Sequence, residues 1–213
     1  MTAAASDKAR RPYRSARRQQ QAAETRALVL AAATSLFAER GWSATGMRDI
    51  AKEAGVSVET VYASFGSKTE LLLAAIDVGV VGDDAPVPLS QRPEFAALAT
   101  GPIGDRIDAA ARLVSGINQR VWGLRRALAQ AAGSDPQLSE KLHEAEHRRR
   151  DNTREGAEMV AGRPVDDDVL DGLWVVMSID AFWLMTQVGG RSVEDYERWL
   201  SLTVRRLLHL DEA

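Results

Sequence analysis

The sequence predicts an all-α protein with a small helical head at its N-terminal end and a larger helical body behind it. Three observations predict this. No alternating apolar run is long enough for a strand, three helix-start signals crowd into residues 45–70, and beyond residue 95 long stretches of helical period are punctuated by Gly and Pro. With 213 residues and 45% apolar content, the chain can build one large and one small domain, or two modest ones.

Residues 1–22 hold almost no apolar side chains and carry six basic residues from Lys8 to Arg18, so no packed structure is expected there. An Arg-rich, acid-poor opening also resembles an organelle transit peptide, but here the charge runs straight into a motif that can use it. From Ala23 to Arg40 the set Ala27, Leu30, Ala31, Thr34 and Phe37 has helical spacing, and Gly41 stands where a left-handed C-cap is needed. Thr45 is the expected cap of a second helix whose apolar side is Met47, Ile50, Ala51 and Ala54. Gly55 stops it, and Ser57 caps a third helix with the stripe Val58, Val61 and Phe65. The capping box Ser67-Lys68-Thr69-Glu70 opens a fourth, expected to run to about Val80.

Residues 82–95 are rich in Pro, Gly and Asp and read as a loop, with a short helix after Pro93. Five helices are expected beyond it, over residues 102–115, 117–132, 136–161, 167–188 and 193–210. Their starts are marked by Asp135-Pro136 and by Ser192 with Asp195, their stops by Gly133, Gly162 and Gly189-Gly190. The count comes to about nine helices.

Composition removes several chemistries. There is no cysteine, which excludes a disulfide framework, a thiolate zinc site and a cysteine nucleophile. The most apolar stretch, Leu173 to Val188, is too short to span a bilayer and carries Asp180 at its centre, so no membrane partner is expected. With no signal-peptide core, a cytoplasmic protein is expected. Net charge is only −3, but it is unevenly spread: residues 1–70 hold eleven Lys and Arg against seven Asp and Glu, which leaves −7 for the remainder. A basic front and an acidic rear point to a polyanion-facing part joined to a part with another task.

The segment AGVSVETVYASF, Ala54 to Phe65, shows what the front could do. Two short helices about a tight turn at Gly55 make a helix-turn-helix, whose second helix enters the DNA major groove. Stepping about 100° per residue from Val58 places Glu59, Thr60, Ala63 and Ser64 opposite the apolar stripe. Their short side chains let the backbone approach base edges. Thr60 and Ser64 can hydrogen-bond there, and the Ala63 methyl can meet a thymine methyl. Phosphate contacts are expected from Thr45 and Ser57 at helix N-termini and from Arg48, Tyr62 and Lys68 around them. Glu59 either accepts from a cytosine amine or complements the helix dipole and points away. Val58, in the same first turn, completes the expected DNA-binding set. The plain alternative is a pair of short helices in which Gly55 and Ser57 only cap.

Thr45 to Leu72, TGMRDIAKEAGVSVETVYASFGSKTELL, resembles the signature of the TetR family of transcriptional regulators. The resemblance is carried by Thr45, Arg48 to Ala51, Ala54 to Ser57, Tyr62, Phe65 and Ser67-Lys68. It is close over residues 28–76 and weaker over Ser192 to Leu200. Gly46 departs from it where a second Thr is common, as do Ala63-Ser64 where a bulkier pair is frequent, which leaves the operator sequence open. The resemblance implies a helix-turn-helix DNA-binding domain over 23–68 and an effector-binding and dimerisation domain over 69–213. It further implies a homodimeric regulator, a repressor on a palindromic double-stranded DNA operator, released by a small-molecule effector through a shift of the helix Lys68 to Val80. No cofactor and no catalytic residue are implied.

Leu173 to Val188 is apolar at twelve of sixteen positions, so it must be buried on more than one side. Its companion is the last helix, with Val193, Tyr196, Leu200, Thr203, Val204 and Leu207 in a stripe. Two such helices from each chain would make a four-helix dimer interface, and a wholly buried monomer core is the alternative. The effector pocket implied by the resemblance would be lined by Trp122, Trp174, Phe182 and Trp183, with Asp180 as polar anchor. Packing residues are the alternative there too. His143 to His147 reads HEAEH and fits the H-E-x-x-H pattern of a zinc hydrolase, with Glu144 as base. Arg148, Arg149 and Arg150 beside it repel a divalent cation, and no metal site is expected. A helical dimer that senses a ligand without reading DNA is the third reading.

Overall fold

Helix α1, Asp7–Arg40, ends because Gly41 takes the left-handed conformation at φ 76° and its amide closes on the Phe37 carbonyl at 3.0 Å. The computed structural model describes the backbone of residues 7–85 and 87–210, and side chains from residue 17 onward. The chain divides into two compact units, Met1–Ala75 and Ile76–Ala213.

In the first unit α1 buries Val29, Leu30, Ala32, Ala33, Leu36 and Phe37. The expected stripe was rotated by about one residue, since Ala27 and Ala31 face solvent. The larger aliphatic side chains take the core because they remove more apolar surface from water, about 0.8 kcal/mol per buried methylene. Where residues 1–22 were expected to lack structure, α1 is already continuous from Asp7, and residues 17–24 on it are exposed. Over residues 17–23 Arg, Gln and Ala have high helix propensity, so the packed helix extends back through this exposed stretch. The basic side chains from Lys8 to Arg14 lie outside the described side chains.

Helices α2, Met47–Glu53, and α3, Val58–Phe65, follow and pack on each other, and Gly55 supplies the turn at φ 67°. Helix α4, Lys68–Val81, carries buried Leu71, Leu72 and Ala75 in its first half, and the first compact unit runs to Ala75.

The second unit is organised on α6, Ile103–Ala132, against which α7, Pro136–Ala161, and α10, Val193–Leu207, pack most extensively. A short helix α5, Pro93–Ala96, precedes it. Two helices were expected where α6 is one. Gly116 costs a helix only about 1 kcal/mol relative to Ala, and the burial of Ser115, Asn118, Val121 and Leu124 around it outweighs that. Conversely, the expected helix over 167–188 is broken. Helix α8, Asp167–Val176, ends at Met177. Ser178 then caps α9, Ile179–Trp183, by accepting from the Ala181 amide at 3.1 Å, and a π-helical turn, Leu184–Val188, follows. The two halves are bent by 42°. A serine in extended conformation stops a helix by offering its hydroxyl to the backbone, and hydropathy does not report it. Among the described residues there are ten α-helices, and no single helix is long and apolar enough to cross a membrane.

The core of this unit gathers Ile107, Ala110, Ala111, Leu173, Phe182, Tyr196, Leu200, Val204 and Leu208. Phe182 meets Tyr196 edge-on, with centroids 5.1 Å apart at 88°. Tyr196, Leu200 and Val204 are therefore buried within the chain, where the last helix meets Phe182 of α9.

Candidate nucleic-acid interface

The small face is exposed and its apolar counterpart is sealed. Val61 and Phe65 are 0% and 8% exposed, whereas Ala63 and Ser64 lie open and Tyr62 is 50% exposed. Thr60 and Val58 are half-buried. The first turn of α3 is held from inside: Ser57 Oγ accepts from the Thr60 amide at 3.2 Å and shares a hydrogen bond of 3.0 Å with Thr60 Oγ1. Ser64 donates its hydroxyl to the Thr60 carbonyl at 2.8 Å, which draws the side chain against the helix and keeps that face low. Glu59 is held below the ordinary carboxylate range first by its own backbone amide and then by the Ser57 hydroxyl. That is the arrangement of a dipole complement at a helix start.

Phe65 is fixed from the other side by Arg26 of α1, whose guanidinium carbon lies 4.4 Å from the ring centroid. Arg48 projects from α2 into solvent. Lys68 is less free than expected. Its ammonium sits 4.0 Å over the Trp42 ring and donates to the Trp42 carbonyl, and burial lowers its pKa. Trp42 in turn stacks on Phe37, with centroids 6.0 Å apart at 16°. The sequence reading missed Trp42 and Arg26. The available signal was an aromatic residue directly after the glycine that ends α1.

Thr45 is the clear correction. It is 1% exposed, and its hydroxyl is shared between the Leu36 carbonyl at 3.0 Å and the Gly41 carbonyl at 2.8 Å. It holds the turn after α1 and does not cap α2. Gly46 is the N-cap, and its amide donates to Asp49 Oδ2 at 2.9 Å. A Cβ on Gly46 would lie 2.9 Å from that same oxygen, so the glycine that breaks the resemblance makes room for the Asp49 contact.

The second unit holds two cavities that bear on the aromatic residues singled out above. A cavity of about 140 Å³ is walled by Phe95, Leu98, Leu113, Ile117, Leu173 and Met177, with Asn118 and Arg149 at its edge. A larger one, about 550 Å³, brings together Trp122, Arg125, Glu146, Asp180 and Trp183. Trp122, Asp180 and Trp183 thus line one cavity, whereas Phe182 and Trp174 line neither. Phe182 is 1% exposed against Tyr196, because the break at Ser178 turns it inward. Trp174 lies beneath the Arg149 guanidinium at 5.2 Å, and its indole Nε1 is buried without a hydrogen-bond partner. Glu146 joins Arg125 to Arg149, accepting from Arg149 Nε at 2.8 Å, and burial lowers the pKa of Arg125.

His143 and His147 are exposed, and Glu144 lies 3.9 Å from Arg148 as an (i, i+4) pair. Among the described residues no three His, Asp or Glu side chains are gathered as a metal ion would need.

Comparison with known proteins bears on this geometry. Residues 29–75 match the family described as bacterial regulatory proteins, tetR family. A stretch of 54 residues is 48% identical to the HTH-type transcriptional repressor Rv3405c of Mycobacterium tuberculosis, covering 25% of this chain and 29% of that protein. A stretch of 53 residues is 47% identical to the HTH-type transcriptional activator FasR of Mycolicibacterium smegmatis, covering 25% of this chain and 24% of that one. The matched stretches thus span less than a third of these relatives' own length. Over nearly the whole chain the fold is similar to that of a TetR-family regulator from Mesorhizobium loti, with a TM-score of 0.62, 22% identity, and coverage of 89% of this chain and 97% of the other. It is also similar to a multidrug binding protein, EbrR, crystallised with imidazole, with a TM-score of 0.51, 18% identity, and coverage of 84% and 87%.

Proposed function

We propose, from the premise that this chain belongs to the tetR family of bacterial regulatory proteins through residues 29–75, that it is a homodimeric, ligand-responsive regulator of transcription that binds an operator in duplex DNA. The observation that carries the reading is the α3 helix: Ala63 and Ser64 open and short on one side, Val61 and Phe65 sealed on the other. A helix of that cross-section enters a major groove to the depth of its backbone, where Thr60, Ala63 and Ser64 meet base edges. Ser57, Tyr62, Arg48 and the Trp42-braced Lys68 then take phosphates and fix the register.

The direction of regulation is proposed to be repression. A head seated on an operator blocks other proteins by occupancy alone, whereas activation needs a further contact. The two mycobacterial relatives, one named a repressor and one an activator, match this chain over nearly the same length.

A second copy is proposed to cover the apolar side chains that α8, the π-helical turn and α10 leave in water, namely Val175, Leu184, Val188 and Leu202, each more than half exposed. This keeps the dimer on the last helices but uses the opposite side of α10 from Tyr196, Leu200 and Val204. Two-fold symmetry of the protein then matches a palindromic site. The small cavity among α6, α7 and α8 is the proposed effector site, a reading supported by the fold neighbour named as a multidrug binding protein. A ligand acts only by binding better to the state that leaves DNA.

The test is selection of binding sites from a random duplex library by the full chain, followed by mobility shift on the selected site across a salt series. A selected palindrome whose affinity falls steeply with salt is expected. Failure to enrich any sequence would sink the reading.

A further inference from the structure

We infer that the small cavity of the second unit takes an uncharged ligand with a ring-sized apolar body and one hydrogen-bond donor, a phenol-type hydroxyl or an N–H, given to Oδ1 of Asn118. The inference rests on the reading of that cavity as the effector site.

Size and lining set the body of the ligand. An apolar cavity of about 150 Å³ stays dry and accepts benzene, and this one measures about 140 Å³ with walls of Phe, Leu, Ile and Met. Asn118 sets the polar group. It is 3% exposed and sits at the cavity wall. Its Nδ2 donates to the Met177 carbonyl at 3.1 Å and lies 3.4 Å from the Ser178 carbonyl and 3.3 Å from the Tyr196 hydroxyl oxygen. Two of these three neighbours are carbonyls, which only accept, so the amide must present its nitrogen to them and its oxygen elsewhere. Among the described residues no donor reaches that oxygen. That oxygen is not sealed from water, so a ligand that donates to it takes the place of water and gains one net hydrogen bond.

Arg149 argues against an anionic ligand. It is the one ionisable side chain in the wall of this cavity. Its Nε is bonded to Glu146 at 2.8 Å, its Nη1 to the Trp174 carbonyl at 3.0 Å, and its guanidinium carbon lies 5.2 Å from the Trp174 ring centroid. A carboxylate here would lose its water to apolar walls and compete with Glu146 for a guanidinium already paired. The larger cavity, whose walls include Arg125, Arg126, Glu146 and Asp180, presents four charges where this one presents a single paired arginine.

The experiment is isothermal titration calorimetry of the full chain with three probes of one ring size: phenol, toluene and benzoate. Phenol is expected to bind about three- to tenfold tighter than toluene, the factor one net hydrogen bond supplies, with benzoate weakest. Asn118→Leu should erase the advantage of phenol while toluene still binds. Ala110→Leu, which pushes a larger side chain into the cavity, should abolish binding of both. Should Asn118→Leu fail to fold, the three-probe series on the native chain and Ala110→Leu decide alone. Benzoate binding as tightly as phenol, toluene matching phenol on the native chain, or no heat with any probe would each overturn the inference. Mobility shift on the selected site separates it from the functional reading. Phenol that binds with the expected selectivity yet leaves DNA occupancy unchanged upholds the ligand class and removes the ligand-responsive role.

Discussion

Nε of Arg120, on α6, donates to the carbonyl oxygen of Gly79, on α4, across 2.7 Å, and Nη2 of the same side chain lies 3.4 Å from the Val80 carbonyl. These carbonyls belong to the last turn of α4, where a helix leaves its acceptors unpaired and its dipole favours a cation. Three residues before Arg120 on the same helix stands Ile117, a wall of the small cavity. Under the proposed reading, a ligand that displaces α6 there shifts the donor that holds the last turn of α4.

Arg120→Ala should lower stability by about 1–2 kcal/mol, since a charge-assisted bond to a partly exposed carbonyl is lost. It should weaken the effect of phenol on DNA affinity by a larger factor than it weakens DNA affinity itself. Urea unfolding and mobility shift with and without phenol check both parts. An undiminished ligand effect would remove Arg120 from the path.

Gly79 of α4 packs against Val121 of α6. A Cβ there would stand 2.7 Å from Cγ1 of Val121, so in Gly79→Ala either the Val121 side chain or the helix backbone must shift. A loss of about 1–3 kcal/mol is expected, recovered in part by adding Val121→Ala. Thermal melts of the two single variants and the double variant measure the coupling, and strictly additive losses would deny the contact.

Lys68→Ala should weaken binding to all duplexes alike and flatten the salt dependence by about one counterion. Ala63→Val should instead change which sequence is selected while leaving the salt slope in place. Burial lowers the Lys68 pKa, so its ammonium loses its proton at a lower pH than an ordinary lysine. Phosphate affinity from this group is present below that pKa and is lost as pH rises through it. Lys68→Arg should move the alkaline loss of affinity upward in a mobility-shift series over pH.

Burial raises the Tyr196 hydroxyl to about 12, ahead of the opposing hydrogen bond from Asn118. A group whose folded pKa lies above its unfolded value, about 10 for tyrosine, contributes stability that is fully present below pH 10. That stability is lost as pH rises towards 12. Absorbance at about 295 nm, where tyrosinate absorbs, should show one late step coinciding with loss of helix signal by circular dichroism. Tyr196→Phe should remove the late step. A Tyr196 that ionises well below unfolding would refute its burial.

Leu184→Glu with Val188→Glu places two charges on the face proposed to meet a second copy. Sedimentation should shift from dimer to monomer with the thermal melt of each subunit's core retained, and operator affinity should fall more than the affinity for a single half-site. A dimer that persists would move the interface elsewhere.

What could be read along the chain was whatever depends on neighbours in sequence. Gly41, Gly55 and Ser57 act through their own backbone conformation and the next turn, so the first-unit helices and the open side of α3 were visible in order and spacing. Tertiary structure decided the rest, because it turns on which groups meet across distant segments. Thr45 looks like a cap until the Leu36 carbonyl takes its hydroxyl, and Gly116 looks like a break until α6 packs against α7 and α10. The aromatics followed the same rule. Trp122, Asp180 and Trp183 converge, while Phe182 is claimed by Tyr196 and Trp174 by Arg149. Burial energy belongs to the assembled core, where a residue's partner is fixed by packing and not by its place in the sequence.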